Sequence, residues 1–502
     1  MRNEIKWGAV LGYVSVFVQL FITLFYVPAV IDVIGQSEYG LFSLITSVMA
    51  YFSVLDMGFG NALVRFSAKS KVDNDGNEKN INGLFIIFYS IIGVIALVLG
   101  IVLLNNIELV FDKSLTSAEL VKAGVMMKIS IITIAFSFPL SVFQAHMTAC
   151  EKFITIKILN LIRIILQPIT ILLFLKHGYD VTTMVLITSL YTFGIQIINM
   201  IYCLKFLDMK INFKIKDIDK ILVKEILIYS FFIFLNILVD NLYNNTDQVI
   251  IGIISGTTAV SVYAIATRIS SINLTFSTTI SSLFLPRITK LSREENGKKK
   301  VSDLFLKVSK TQLYIMVLIL AGFIILGETF ISWWLGSGYE DAYWIVLLLI
   351  GPAIVPLTQN VAITVLQAEN KHAFRSIVYI TIAILNIIVS IPLVKLYGGI
   401  GAAIGTAIAT IAGQILTMNW YYAIKIKLDI KHYWKHFCRF AIPVLGFAII
   451  LKNLCEYYKF APFIILAFTC VFTIIYCLYC WCFMDKEEKE YIQLKIKSLI
   501  KH

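Results

Sequence analysis

Long apolar segments recur along the whole of this sequence and limit what it can fold into. Fourteen of them are bounded by charged residues or by turns rich in glycine, proline and asparagine. A helix needs about 20 apolar residues to cross the hydrocarbon core of a bilayer. The composition, 59% hydrophobic and 15% charged, exceeds the apolar share of about half that soluble domains carry. The sequence therefore predicts an all-α polytopic membrane protein. The predicted spans are residues 8–31, 40–64, 83–104, 121–145, 154–175, 180–204, 225–251, 258–285, 311–335, 341–366, 373–394, 398–424, 436–452 and 460–483.

Lysine and arginine are distributed very unevenly between the two sides that these spans define. One set of alternate loops holds 34 basic residues, and the other set holds six. Basic residues collect in cytoplasmic loops, so both termini are predicted to be cytoplasmic. The net charge of +12 is explained by this asymmetry, and we expect no nucleic-acid partner.

A loop with six lysines, residues 205–224, is the best internal boundary. Six spans precede it, so the seventh span starts on the same side of the membrane as the first. Two such halves are parallel repeats related by an axis along the membrane normal. A shift of 220 residues supports the repeat, because it places Gly178 on Gly398 and Asn199 on Asn419. The predicted organisation is an N-terminal lobe 1–204, a cytoplasmic linker 205–224, a C-terminal lobe 225–424 and a segment 425–502 with two further helices and a cytoplasmic tail.

Motifs that carry catalysis are missing from the sequence. It contains no phosphate-binding Walker A loop, no nucleophile elbow and no histidine and cysteine pattern with metal-ligand spacing. Cys477 and Cys480 lie in an apolar segment, where small buried side chains are the better interpretation. We therefore predict no enzyme, no catalytic residue and no metal site.

Polar residues inside the predicted spans are the strongest functional signal. In the seventh span, Asn236, Asp240, Asn244 and Asp247 recur at steps of three and four residues, which places them on one helical face. Such amides either join neighbouring helices or face a hydrated cavity, and two carboxylates favour the cavity. Together with Asp56 of the second span, Asp240 and Asp247 are candidates to take up a coupling proton or sodium ion. No resident cofactor is expected.

Three cations also fall within spans, namely Arg268, Arg163 and Lys128. An arginine at the centre of a membrane helix costs at least about 2.5–3.5 kcal/mol on insertion scales. Arg268 and Arg163 therefore either pair with internal acids or bind an anionic ligand such as a phosphate, which a guanidinium grips through two hydrogen bonds. Lys128 lies nearer a helix end and can extend towards the interface.

Five segments together give the chain a family resemblance. They are residues 34–41 (I-G-Q-S-E-Y-G-L), 55–60 (L-D-M-G-F-G), 247–252 (D-Q-V-I-I-G), 368–371 (A-E-N-K) and 397–406 (Y-G-G-I-G-A-A-I-G-T). With fourteen spans, the chain resembles the polysaccharide-type flippases of the multidrug/oligosaccharidyl-lipid/polysaccharide exporter superfamily.

The resemblance implies two lobes around a cationic cavity, and transport of undecaprenyl-pyrophosphate-linked oligosaccharide across the bacterial inner membrane for O-antigen or capsule synthesis. The implied partners are this lipid-linked oligosaccharide, membrane lipids, a polysaccharide polymerase and a chain-length regulator. On this interpretation Arg268, Arg163, Lys128, Asn236 and Asn244 contact the pyrophosphate or the glycan.

The first span departs from one branch of the superfamily, because it has no cation between Gly8 and Ile31. That argues against a peptidoglycan-precursor flippase, whose relatives resemble one another in having arginines there. Two alternatives stay open. One is a cation-coupled multidrug antiporter of the same superfamily, and the other is a membrane scaffold for a polysaccharide synthase that transports nothing.

Overall fold

The protein is almost entirely helical. The computed structural model describes residues 2–73, 77–213, 220–292, 294–369, 371, 373–458, 460–485 and 489–490, and within these ranges it contains no strand. A helical fold is what a chain in lipid requires, because a helix satisfies its own backbone hydrogen bonds. The helices are α1 Arg2–Ala50, α2 Phe59–Asp73, α3 Glu78–Asn105, α4 Ile107–Phe111, α5 Ser117–Ala149, α6 Phe153–Lys176, α7 Val181–Phe206, α8 Lys220–Ser282, α9 Leu285–Leu291, α10 Gly297–Leu335, α11 Asp341–Thr358, α12 Asn360–Ala368, α13 Ala373–Ala409, α14 Met418–Tyr421, α15 Ile430–Tyr457 and α16 Pro462–Phe483.

Eleven helical stretches of the described chain are long and apolar enough to cross a membrane. Three of them run for 62, 61 and 53 residues, far beyond the length of a single crossing. Each bends at a glycine with positive φ, namely Gly35 (82°), Gly256 (82°) and Gly398 (56°). Glycine adopts this conformation without steric cost. Division at these three glycines yields the fourteen predicted spans and confirms the all-α polytopic fold.

The second span is broken, although the sequence predicts one uninterrupted helix over residues 40–64. After α1 the chain makes a 3₁₀ helix, Tyr51–Asp56, and then turns at Met57 (φ 49°) and Gly58 (φ 75°) before α2 begins. A Cβ atom at position 58 would overlap Ile233 and would lie in tight contact with the carbonyl oxygen of Ser230. Hydrophobic periodicity does not reveal this break, because the apolar residues continue through it.

Backbone turns repeat along the chain at nearly constant separation. Gly178 (φ 89°) corresponds to Gly398, as the sequence shift predicts, and Gly35 corresponds to Gly256. The chain also turns through positive φ after the last span of each predicted repeat, at Asp208 (51°) and at Lys427 (65°). These three pairs are local evidence of two similarly shaped halves.

Hydrogen bonds around the last of these turns repeat as well. The amide of Met209 donates to the carbonyl of Cys203 (3.1 Å), and the amide of Leu428 donates to that of Tyr422 (3.0 Å). The following residues are tied back to the start of a helix three spans earlier, by Asn82 Nδ2 to the Lys210 carbonyl (3.1 Å) and by the Asp429 amide to Ser302 Oγ (2.9 Å).

Packing divides the chain into two compact units. The first comprises Met1–Ala264 and Val394–Gly399, and the second comprises Ile265–Leu393 and Ile400–His502. The core of the second unit includes Phe305, Met418 and Tyr433, all buried. The predicted lobes 1–204 and 225–424 stay a prediction about repeats, and residues 214–219 of the linker between them lie outside the described residues.

Candidate functional site at the broken second span

The break in the second span holds a carboxylate among polar partners. The hydroxyl of Tyr89 donates to Asp56 Oδ1 at 2.5 Å. The carboxylate lies just before the start of α2, where the helix dipole favours negative charge. Tyr89 is fully buried, and its ring stacks on Phe138 with centroids 6.1 Å apart. Asp56 itself is half-buried, so it is positioned by the fold and still accessible from one side.

The second span is joined to α8 by a row of side-chain hydrogen bonds. The row extends along about two helical turns of each partner, within the first unit, and uses hydroxyl and amide groups. Such bonds fix helices together in a membrane protein, so this part of the polar α8 surface holds the broken span in place. The three bonds are Ser47 Oγ to Gln248 Oε1 (2.7 Å), Tyr51 OH with Thr246 Oγ1 (2.6 Å) and Asn241 Nδ2 to Ser53 Oγ (3.1 Å).

A second part of the polar α8 surface is exposed. Asp240 and Asn244 are both exposed, and Asn244 Nδ2 donates to the Asp240 carbonyl at 2.7 Å. A carboxylate in a membrane span is too costly to face lipid tails, and such residues face a protein interior or a water-filled cavity. The side chain of Asn236, the third predicted member of this face, lies outside the described residues.

Asp247 differs from Asp240 although both were predicted on one face. Its side chain is only 3% exposed, and Tyr263 OH donates to its Oδ2 at 2.6 Å. Tyr263 is itself buried. The structure therefore encloses Asp247 in the packed interior of the first unit and leaves Asp240 accessible.

The three predicted cations lie on three different helices. Arg268 is exposed on the part of α8 that follows the bend at Gly256, and Lys128 is exposed on α5. Arg163 on α6 is half-buried, and its Nη2 donates to Asn160 Oδ1 at 3.3 Å. Like the exposed carboxylate of Asp240, an exposed cation within an apolar span indicates a hydrated surface. Contact of the charge with lipid tails would cost more free energy.

Sequence reasoning missed the hydrogen-bonded cluster around Glu119 at the opposite end of the second span. Glu119 Oε1 accepts from Ser37 Oγ (2.5 Å) and from Thr257 Oγ1 (2.8 Å). Close contact of the backbone at Gly40 with Thr257 leaves no space for a larger residue. Thr116 and Glu119 form a capping box at the start of α5, and this T-x-x-E pattern is a signal that the sequence offered.

Fourteen spans, a broken helix and charged groups within apolar segments define a polytopic helical membrane protein. The sequence model of the family described as "Polysaccharide biosynthesis protein" matches residues 8–292, more than half of the chain. The chain belongs to this family. That confirms the predicted family resemblance.

Two curated relatives come from Haloferax volcanii strain DS2. The probable low-salt glycan biosynthesis flippase Agl15 is 22% identical over 178 residues, and the probable flippase AglR is 27% identical over 183 residues. These matches cover 36% and 35% of this chain. The chain spans less than two fifths of the length of each relative, 38% and 37% respectively.

Solved structures confirm the fold over nearly the full length. The lipid II flippase MurJ in an inward closed conformation matches with a TM-score of 0.70 and 19% identity, over 95% of this chain and 98% of that protein. An inward-facing multidrug resistance MATE family transporter matches with a TM-score of 0.63 and 16% identity, over 82% and 98%. Identities this low show a shared fold alone.

Proposed function

We propose that this protein is a flippase that moves lipid-linked oligosaccharide across a membrane for the synthesis of a surface polysaccharide. The observation that carries the proposal is the exposure of Asp240, Asn244 and Arg268 within apolar spans. Charged and polar groups within membrane spans face a protein interior or a water-filled cavity, and a transport path for a glycan is such a cavity. Family membership and the names of the two archaeal relatives support the same function.

The substrate class that we propose is an oligosaccharide on undecaprenyl pyrophosphate. Arg268 is the main anchor for the pyrophosphate, because a guanidinium matches phosphate oxygens in geometry and charge. Arg163 and Lys128 are further anchors, and Asn236 and Asn244 contact the sugars. In a bacterium the product would be O-antigen or capsule. The proposed location is the inner membrane with both termini cytoplasmic, and a polymerase and a chain-length regulator are the proposed partners.

The proposed cycle is alternating access biased by a coupling ion. Asp56 is the first candidate to take up a proton or sodium ion, since it is half-buried at a break in a span and retains a polar shell. Broken membrane helices commonly mark ion and substrate sites. Asp240 is the second candidate because it is exposed, and Asp247 is the third because its bond to buried Tyr263 encloses it.

The test is to deplete the protein in its host and to extract lipid-linked sugars from the membrane. Depletion should cause lipid-linked oligosaccharide to accumulate in the inner leaflet. Complementation with Arg268→Ala should leave the surface glycan absent at a normal protein level. Arg287→Ala is the matched control, since Arg287 is exposed on α9 outside the spans and its loss should restore the glycan fully. Normal glycan with Arg268→Ala would exclude the anchor role, and no accumulation on depletion would exclude the flippase.

A cation-coupled multidrug antiporter is the second candidate, and the exposed carboxylate of Asp240 is the observation that favours it. Cationic dyes would bind there by charge. Dye efflux that is lost with Asp240→Asn, in cells whose lipid-linked sugars are unchanged, would support the antiporter over the flippase.

A further inference from the structure

A cluster of three metal-ligand side chains lies where the start of α3 meets the end of α5. Glu78 opens α3, and His146 and Cys150 stand at the end of α5. One ligand atom from each residue lies within 4.8 Å of the other two. The Nδ1 atom of His146 and Oε1 of Glu78 are 3.7 Å apart. We propose that Glu78, His146 and Cys150 bind a zinc ion.

The cluster already holds a positive charge. Lys71 Nζ donates to Cys150 Sγ at 2.7 Å and lies 3.0 Å from Glu78 Oε1. The ammonium thus contacts two of the three ligand atoms, where a metal ion would have to be. Its side chain is 35% exposed and sits on a flexible stem, so it can withdraw towards the interface when a metal enters.

The third ligand atom, Nδ1 of His146, receives no hydrogen bond from the Lys71 ammonium. His146 is 2% exposed, and its Nδ1 has no hydrogen-bond partner among the described residues. Buried polar atoms in folded proteins almost always have a partner. A metal ion bound here would satisfy this buried imidazole nitrogen, which lies 3.7 Å from Glu78 Oε1, because the metal takes its lone pair.

The donor set selects the kind of metal. A nitrogen, a sulfur and a carboxylate oxygen suit zinc, which binds such ligands at about 2.0–2.3 Å in a tetrahedron. Magnesium and calcium prefer oxygen ligands alone. Binding requires deprotonation of the Cys150 thiol, and the proton is released to solvent. Thiolate and carboxylate together then balance the two charges of the metal, and a water molecule completes the fourth position.

The site would tie the start of α3 to the end of α5 on the side that the lysine and arginine asymmetry assigns to the cytoplasm. Spacing rules could not find it, because 68 residues separate Glu78 from His146 in the chain. It uses none of the residues proposed to bind substrate, so it stands or falls independently of the proposed function.

The experiment titrates cobalt(II), a spectroscopic substitute for zinc, into the full-length protein in detergent after purification without a polyhistidine tag. We expect about one cobalt per chain, a thiolate-to-cobalt absorption band, and displacement of the band by zinc. Cys150→Ser should abolish the band, and Cys438→Ser, which removes an exposed thiol from α15, should leave it unchanged. A band of equal strength in Cys150→Ser, or none in the unaltered protein, would overturn the proposal.

A second variant keeps all three ligands and tests the role of the ammonium. Lys71→Met should tighten zinc binding several-fold, because the competing charge is gone. Lys69→Met is the matched control on the same helix, since Lys69 is exposed and outside the cluster, and it should not change the affinity. Weaker binding in Lys71→Met would show that the ammonium does not occupy the position of the metal, and the proposal would fail.

Discussion

The two predicted repeats share several backbone turns but differ in the polar groups inside them. In the first repeat, Asp56 accepts from Tyr89. About 220 residues later the interior holds Ser277, which donates to the Leu357 carbonyl (2.5 Å) and accepts from Asn360 Nδ2 (3.1 Å). Each of these sets of hydrogen bonds lies within a single unit.

The surroundings of Asp56 and Ser277 differ in charge and in solvent exposure. Asp56 is half-buried and can change its charge, whereas Ser277 and Gln312 are fully buried and neutral. A neutral, enclosed network can hold helices together but cannot take up an ion. The repeated backbone turns therefore do not bring a repeated carboxylate with them, and the ion coupling that we propose for Asp56 has no charged counterpart at Ser277 or Gln312.

The largest expected loss of stability comes from removing hydrogen bonds of the neutral network around Ser277 and Gln312. Gln312 Nε2 donates to the Ser277 carbonyl (3.0 Å) and to Ser281 Oγ (2.9 Å). Gln312→Leu should lower the free energy of unfolding by about 2 kcal/mol, because it removes two buried hydrogen bonds worth about 1 kcal/mol each. SDS titration in mixed micelles measures this loss. Gln196→Leu is the control, since Gln196 makes a single long bond of 3.5 Å to Ser137, and equal losses in both variants would refute the structural role of the network.

The second prediction compares two tyrosine–carboxylate pairs, Tyr263 with Asp247 and Tyr89 with Asp56. Tyr263→Phe should cost about 1.5 kcal/mol, because it removes a hydrogen bond to a buried carboxylate, that of Asp247. Tyr89→Phe should cost under about 1 kcal/mol, because half-buried Asp56 can hydrate in place of the lost bond. The same titration measures both. A larger loss for Tyr89→Phe would show that Asp56 is enclosed, and the contrast between the two acids would disappear.

A third prediction tests the shared backbone path. Gly178→Ala and Gly398→Ala should each cost about 1–2 kcal/mol, because a Cβ atom disfavours positive φ. An added Cβ atom at position 178 would have no atom within 4 Å, and one at position 398 would have only Ser255 Oγ, at 4.0 Å. The loss of stability therefore measures backbone strain and not a steric clash. Gly194→Ala, in open space within helix α7, should not destabilise the protein. Clearly unequal losses at 178 and 398 would argue against equivalent turns.

The smallest expected change in stability is for Asp56→Asn. The amide oxygen still accepts from Tyr89, so the free energy of unfolding should change by less than about 0.5 kcal/mol. Transport of lipid-linked oligosaccharide should nevertheless fall, because the neutral side chain cannot carry a coupling charge. Full transport in this variant would remove Asp56 from the cycle, and a stability loss near that of Gln312→Leu would make it a structural residue.

The sequence predicts much of the fold because hydrophobic length and basic asymmetry are properties of the chain itself. It predicts the fourteen spans, and the pairing of Gly178 with Gly398 also follows from it. The candidate site is less predictable. Asp240, Asn244 and Asp247 are read from helical spacing, but spacing cannot tell which of them a neighbouring helix covers.

By itself the sequence determined that this chain is a polytopic helical membrane protein of the polysaccharide biosynthesis family, since apolar length and local motifs need no tertiary contact. The tertiary structure alone decided that the second span breaks at Met57 and Gly58, that Asp247 is enclosed by Tyr263, and that Glu78 meets His146 and Cys150. Each of these depends on side chains brought together from distant parts of the chain, and no local pattern encodes such proximity.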